Sequence, residues 1–129
     1  MLHGGISPNL NSLQEIAQAQ ENQNSILENI LWNDPDEKVQ GVSFSPRGAG
    51  KLFGKKVTDE LLNRLKTKIL IRGHEANNVG FKINHGGRVL TLFSRKGEPY
   101  FNRYGAYLQL PLDEKFENAQ QLVPFIHKF

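Results

Sequence analysis

Apolar residues recur along this chain at two different spacings, and the change falls near Thr67. Before it the period is helical. Leu10, Leu13, Ile16 and Ala17 share one face, and Ser12-Leu13-Gln14-Glu15 reads as a capping box, so the spacing predicts a helix from Leu13 to Gln20. Ser25-Ile26-Leu27-Glu28 repeats the signature within a mildly Gln- and Asn-rich region and opens a second helix, which Asn33-Asp34-Pro35 ends. Between Pro35 and Phe53 the chain is rich in Gly, Ser, Asp and Pro and reads as an ordered loop. Val57, Leu61, Leu62 and Leu65 then predict a third helix from Gly54 to Lys66, with Lys and Arg on its other face.

Beyond this point the pattern is that of strands. Lys68 to Arg72 is a short apolar run, Val79 to Ile83 alternates, and Val89 to Phe93 is β-branched and aromatic. His85-Gly86-Gly87-Arg88 suits a tight turn between the last two, and Tyr104 to Leu110 is a further strand. The end of the chain, Leu122 to Phe129, is apolar and is expected to pack on the body. Helices mainly N-terminal with antiparallel strands C-terminal predict an α/β layer without an internal linker.

At 129 residues, 38% hydrophobic and 22% charged, the chain is long enough to bury a core. Sixteen Lys and Arg against 13 Asp and Glu leave a net charge of +3, too small and too dispersed for a nucleic-acid binder. No apolar run approaches the roughly 20 residues that cross a bilayer, and no basic segment leads into an apolar one at the N-terminus. The absence of Cys removes disulfides, thiolate metal sites and thiol nucleophiles. The expectation is a cytoplasmic protein with no membrane and no nucleic-acid partner.

Four segments have the residue types for chemistry. His3-Gly4-Gly5 presents an imidazole that no neighbouring side chain crowds, and the plain alternative is a free N-terminal His. Ser45-Pro46-Arg47-Gly48-Ala49-Gly50 approaches a phosphate-binding P-loop but has Ser45 for the first Gly and Leu52 where Ser or Thr binds magnesium, so nucleotide binding is rejected. What remains is Arg47 in an open loop, whose planar guanidinium is able to grip a phosphate through two parallel hydrogen bonds or to serve as an ordinary surface charge. Arg72-Gly73-His74-Glu75 follows an apolar strand, where ligands gather in open α/β folds; His74 reads equally as a metal ligand and as a structural His, with Glu75 placed to orient a neighbour. Phe93 to Tyr104 joins two strands and either walls a cleft or merely connects them.

Order and spacing say more than any one of these. His-Gly-Gly-Ile-Ser-Pro at residues 3–8, Leu31-Trp32-Asn33-Asp34-Pro35, Arg47-Gly48-Ala49-Gly50 with Phe53-Gly54, Arg72-Gly73-His74-Glu75 and Leu90-Thr91-Leu92-Phe93-Ser94 form one series. From His3 to about Leu110 it resembles the C-terminal half of the phosphoprotein phosphatase family, the metal-dependent Ser/Thr phosphatases that include protein phosphatases 1, 2A and calcineurin. The resemblance implies part of a metallophosphoesterase-type β-sandwich flanked by helices, with residues 1–129 as the C-terminal portion of a single catalytic domain. It implies hydrolysis of phosphoserine and phosphothreonine in proteins by water activated between two divalent metal ions, manganese first, with iron or zinc as alternatives. His3 and His74 match two ligands of one ion, and Arg47 matches the arginine that holds the substrate phosphate. Trp32 and Asp34 match a structural turn. Tyr100, the second substrate-phosphate-binding residue the resemblance implies, is the counterpart of a cleft-lining Tyr in a loop that departs from the family, since Arg95-Lys96-Gly97-Glu98-Pro99 replaces the usual Ala-Pro-Asn lead-in and no Cys follows.

The family's Gly-Asp-x-His-Gly, Gly-Asp-x-x-Asp-Arg-Gly and Gly-Asn-His-Glu motifs do not occur in this sequence. They supply the metal carboxylates and the general acid, so no catalytic acid or base is assigned in this half. Two neutral imidazoles provide only part of one ion's ligands, and the chain alone is expected to be a feeble hydrolase or none. Exposed edges and apolar faces are expected to call for the missing N-terminal half or a complementary fragment as partner, beside the phosphoprotein substrate. Two other readings are a dinucleoside-polyphosphate hydrolase of the same superfamily and a non-catalytic, phosphatase-like binding module.

Overall fold

Ser12 opens the first helix, α1 (Leu13–Ala17), by accepting from the Glu15 amide at 3.3 Å, which satisfies one of the donors a helix start leaves unpaired. Glu15 reaches one residue further back than a capping box requires, and its carboxylate accepts from Asn11 N at 3.2 Å. The structure, a computed structural model, describes residues 1–19 and 24–129; the helix closes at Ala17 with Gln18 as its C-cap, short of the expected end at Gln20, which lies outside the described residues. The second helix, α2 (Asn24–Trp32), stops before Asn33-Asp34-Pro35 as the sequence predicts.

Helix α3 (Lys55–Arg64) is bounded by its caps. At its start Gly54 lies against the Val39 carbonyl so closely that an added Cβ would stand 1.7 Å from that oxygen. At its end Lys66 turns left-handed, and amides of Lys66 and Thr67 return to carbonyls of Asn63 and Leu62, a Schellman closure.

Residues 35–53 differ from the expected loop. They contain β2 (Val42–Phe44) and β3 (Lys51–Phe53), which pair antiparallel, and β3 pairs parallel with β1 (Asp34–Pro35). The strands escape a periodicity reading because each has at most three residues, β2 is exposed throughout, and only Phe53 of β3 is buried.

The second sheet has the order β4 (Leu70–Arg72), β6 (Val89–Leu92), β5 (Phe81–Asn84). The fold is α/β as expected, but its later strands are mixed. Strands β5 and β6 form the expected antiparallel hairpin, and β6 folds back into the centre, where it runs parallel to β4. His85, Gly86 and Gly87 make the turn as a short 3-10 segment with positive φ at all three residues. The apolar tail packs on the body: Ala119–Phe125 forms 3-10 turns, and β8 (Ile126–Lys128) pairs antiparallel with β7 (Ala106–Leu108).

Alternation along the second sheet divides the core. Leu70 and Val89, paired in register, face one side with Ile6, Leu10, Phe53 and Leu61. Leu90, paired with Ile71, faces the other side with Ala119 and Leu122. No described helix is long and apolar enough to cross a membrane.

One titratable ring is part of this core. His85 is fully buried, with Nδ1 2.8 Å from Thr58 Oγ1 and Nε2 3.2 Å from the Asp36 carbonyl. Burial pushes the imidazole below its ordinary value, outweighing the Asp36 carbonyl and the Glu37 and Asp59 carboxylates, which favour the charged ring. The folded ring therefore stays neutral where the unfolded ring, near pH 6.5, takes up a proton, so unfolding binds protons and stability falls as pH drops through that value. Urea denaturation between pH 7.5 and 5.5 is expected to show this loss, with a slope of at most about 1.4 kcal/mol per pH unit from one proton. A His85→Gln variant, less stable overall, is expected to lose that part of the slope; an unchanged slope removes His85 as its source.

Candidate metal and phosphate site

The site is built where short segments meet at the end of β4. Leu2 runs alongside this strand, donating its amide to the Ile71 carbonyl at 3.0 Å in a parallel bridge with Arg72. The following turn carries His3 outward while Gly4 presses on the C-terminal end of α2, donating to the Ile30 carbonyl at 2.7 Å. A Cβ on Gly4 would stand 2.3 Å from the Leu31 carbonyl oxygen, so only glycine brings the segment this close. On the other side, the His3 carbonyl accepts from Gly73 N at 2.9 Å, which ties the two histidine-bearing turns together. His74 itself takes a left-handed backbone conformation, with φ at 70°.

The side chains then converge. His3 Nε2 and His74 Nδ1 face each other at 3.1 Å, and the rings meet edge to face with centroids 5.0 Å apart. The other nitrogen of His74, Nε2, lies 3.2 Å from Arg47 Nη1. Arg47 arrives on the loop between β2 and β3, where Ser45 Oγ accepts from its amide at 3.3 Å, and its guanidinium is about half exposed. Trp32 packs edge-on against the His74 ring, with centroids 5.4 Å apart.

Behind this open face lies a buried polar layer. Asp34 shares its carboxylate between Arg72, with Oδ1 2.7 Å from Nη2, and Arg47, with Oδ2 3.6 Å from Nε. Glu75 orients a neighbour as the sequence suggests, and that neighbour is Arg72, at 2.6 Å. Burial holds the His74 ring below its ordinary value; Asp34 opposes this, while Arg72, Arg47 and His3 add to it. The ring is thereby neutral near pH 7, the form in which imidazole binds a metal.

Two imidazole nitrogens on one tetrahedral ion, each at about 2.0–2.1 Å, sit a little over 3 Å apart. The 3.1 Å between His3 and His74 fits such a pair. Among the described residues no group of three or more His, Cys, Asp or Glu side chains gathers into a ligand set.

Of the residues singled out in the sequence, His3, His74 and Arg47 are brought together. Tyr100 is placed elsewhere: it is half exposed and packs edge-on against Phe93 at 5.0 Å, and among the described residues no hydrogen bond or ring contact joins it to the cluster. Trp32 and Asp34, read as parts of a turn, touch the cluster directly. The full burial of Arg72 carried no sequence signal, because it ends an apolar run as any solvent-facing strand terminus does.

Residues 1–78, which include all three convergent side chains, match the calcineurin-like phosphoesterase family. A probable serine/threonine-protein phosphatase of Encephalitozoon cuniculi is 36% identical over 112 residues, covering 84% of this chain and 24% of that protein. The serine/threonine-protein phosphatase 6 catalytic subunit of Caenorhabditis elegans is 39% identical over 97 residues, covering 72% of this chain and 29% of that protein. Among solved structures, a protein serine/threonine phosphatase from Saccharomyces cerevisiae with similarity to human phosphatase PP5 superposes with a TM-score of 0.69 at 28% identity, covering 81% of this chain and 34% of the other. The chain thus spans between about a quarter and a third of the length of these relatives.

Proposed function

Because the chain belongs to the calcineurin-like phosphoesterase family, we propose that it is the C-terminal portion of a metal-dependent phosphatase domain acting on phosphoserine and phosphothreonine in proteins. The observation that carries this reading is the meeting of His3, Arg47 and His74 within 3.1 and 3.2 Å, from turns far apart in the sequence.

His3 Nε2 and His74 Nδ1 would hold one divalent ion. Two bound ions, manganese foremost, would supply charge stabilisation on the phosphoryl oxygens and an acidified water. Among the described residues no third ligand gathers beside the two imidazoles, and on this reading the rest of the domain would supply it. Arg47 stands beside the ion pocket and grips the phosphate with its fork of donors, while Asp34 on its far side limits where the fork points. Trp32 packs against the His74 ring and limits how far it can tilt.

The relatives' names favour a protein substrate over a dinucleoside polyphosphate. That no third ligand gathers among the described residues favours a binding module if the chain acts alone. The deciding assay is manganese-dependent hydrolysis of a phosphoserine peptide, a dinucleoside polyphosphate and p-nitrophenyl phosphate, by this chain and by the same chain continued with the polypeptide encoded upstream. Peptide turnover only in the longer polypeptide supports the proposal. Turnover of the dinucleotide alone moves the substrate class, and inactivity in both leaves a binding module. Within the active form, Arg47→Ala is expected to raise KM for the phosphopeptide about tenfold, the loss of one charge-assisted contact. An unchanged KM excludes Arg47 from phosphate binding.

A further inference from the structure

We infer that Arg72 is a positioning residue of this site: its buried guanidinium fastens the turns that carry His3, His74 and Arg47 to one frame. The purpose of that frame rests on the metal and phosphate reading above; the frame itself rests on geometry.

The Arg72 side chain has no solvent exposure. A buried cation is costly to desolvate and persists only where its donors are all engaged. Here Nε donates to the Gly4 carbonyl, Nη1 to Glu75 Oε2 at 2.6 Å, and Nη2 to both Asp34 Oδ1 at 2.7 Å and the Asn33 carbonyl at 3.3 Å. Neutralising the charge would need one carboxylate. Instead the donors are spread over three segments, and every acceptor adjoins a site side chain. Gly4 follows His3, and Glu75 follows His74. Asn33 follows Trp32, which packs on His74. Asp34 turns its second oxygen to Arg47.

Only a planar fork with five donors reaches these acceptors at once. A lysine places one compact ammonium at the end of a flexible stem and reaches fewer of them, without fixing their relative directions. The Arg72-Asp34-Arg47 chain also links the phosphate-gripping guanidinium to the histidine turns without any contact between Arg72 and a ligand. Neighbours that orient metal ligands typically change affinity by about 10- to 100-fold when removed.

The test uses Arg72→Lys in the whole chain with two readouts: zinc affinity by competition with a chromophoric chelator, and the side-chain 15N heteronuclear NOE of Arg47 Nε. Zinc affinity is expected to fall at least about tenfold, and the Arg47 NOE to drop to that of a freely moving side chain. Thr58→Val is the control. It strips His85 of a buried partner and lowers the melting temperature, and it is expected to leave both readouts unchanged. Zinc affinity within twofold of wild type in Arg72→Lys, or an equal loss in Thr58→Val, overturns the inference. If Arg72→Lys does not fold, Glu75→Ala decides, because it unfastens Arg72 Nη1 from the His74 turn and touches neither histidine ring nor Arg47. Zinc affinity must then fall at least about tenfold, and a value within twofold of wild type overturns the inference. Wild-type chain that binds no zinc, with an Arg47 NOE that falls in Arg72→Lys and not in Thr58→Val, sinks the metal reading and leaves the positioning role standing. Zinc binding with unresponsive variants does the reverse.

Discussion

Replacing His74 with alanine is expected to cut manganese-dependent phosphopeptide hydrolysis by the active polypeptide at least a hundredfold, and to weaken metal binding with it. The imidazole occupies the centre of the site, with Nδ1 turned to His3 and Nε2 turned to Arg47. Loss of a residue that merely orients a ligand already costs about 10- to 100-fold in affinity, so losing the ligand itself costs more. His3 alone is then left to hold the ion on this side of the cleft. The change also removes the surface on which Trp32 packs and the acceptor beside Arg47, so KM and kcat are expected to worsen together. Metal affinity by chelator competition and steady-state kinetics measure both. Wild-type metal affinity in the variant would show that the paired imidazoles meet for some other reason.

The second large effect is on folding. Phe53→Ala is expected to lower the unfolding free energy by about 3–5 kcal/mol, the range for emptying a large aromatic from a core. Phe53 is fully buried at the end of β3, in the cluster that also takes Ile6, Leu61 and Val89. Its ring meets the His85 ring edge to face at 5.7 Å, and its Cε1 atom lies 2.5 Å from where a Cβ on Gly5 would stand. The ring therefore fills the space directly beneath the His-Gly-Gly turn. Domain stabilities are about 5–15 kcal/mol in total, so the loss is a large share of the whole. Urea denaturation at neutral pH reads it, and a loss below about 1 kcal/mol would mean that the core closes over the vacancy.

What the sequence discloses and what it withholds divide along physical lines. Helices were legible because their signals are local. Ser12 marks the start of α1 three residues ahead of its partner Glu15, and the spacing of Val57, Leu61 and Leu62 fixes the buried face of α3. The β5-β6 hairpin was legible from its glycine turn. Strands β2 and β3 were not, because three residues are too few for alternation and Phe44 is apolar yet exposed. The central place of β6, parallel to β4, depends on pairing that no local pattern encodes. Within the site, His3, Arg47 and His74 stood out through motif order. Arg72 did not, because its partners Gly4 and Asp34 lie 68 and 38 residues away along the chain.

The backbone of His74 carries one more consequence. A φ of 70° is a region that L-residues other than asparagine and aspartate seldom enter, and holding a side-chain-bearing residue there costs about 1–3 kcal/mol. Glycine would sit there at ease, so the choice of imidazole sets conformational comfort against ring placement at a single position. Of the four described non-glycine residues with positive φ, Lys66, His74, His85 and Phe101, only His74 stands in the cluster. Relaxing that dihedral angle with glycine would therefore trade the ring that faces His3 and Arg47 for thermal endurance.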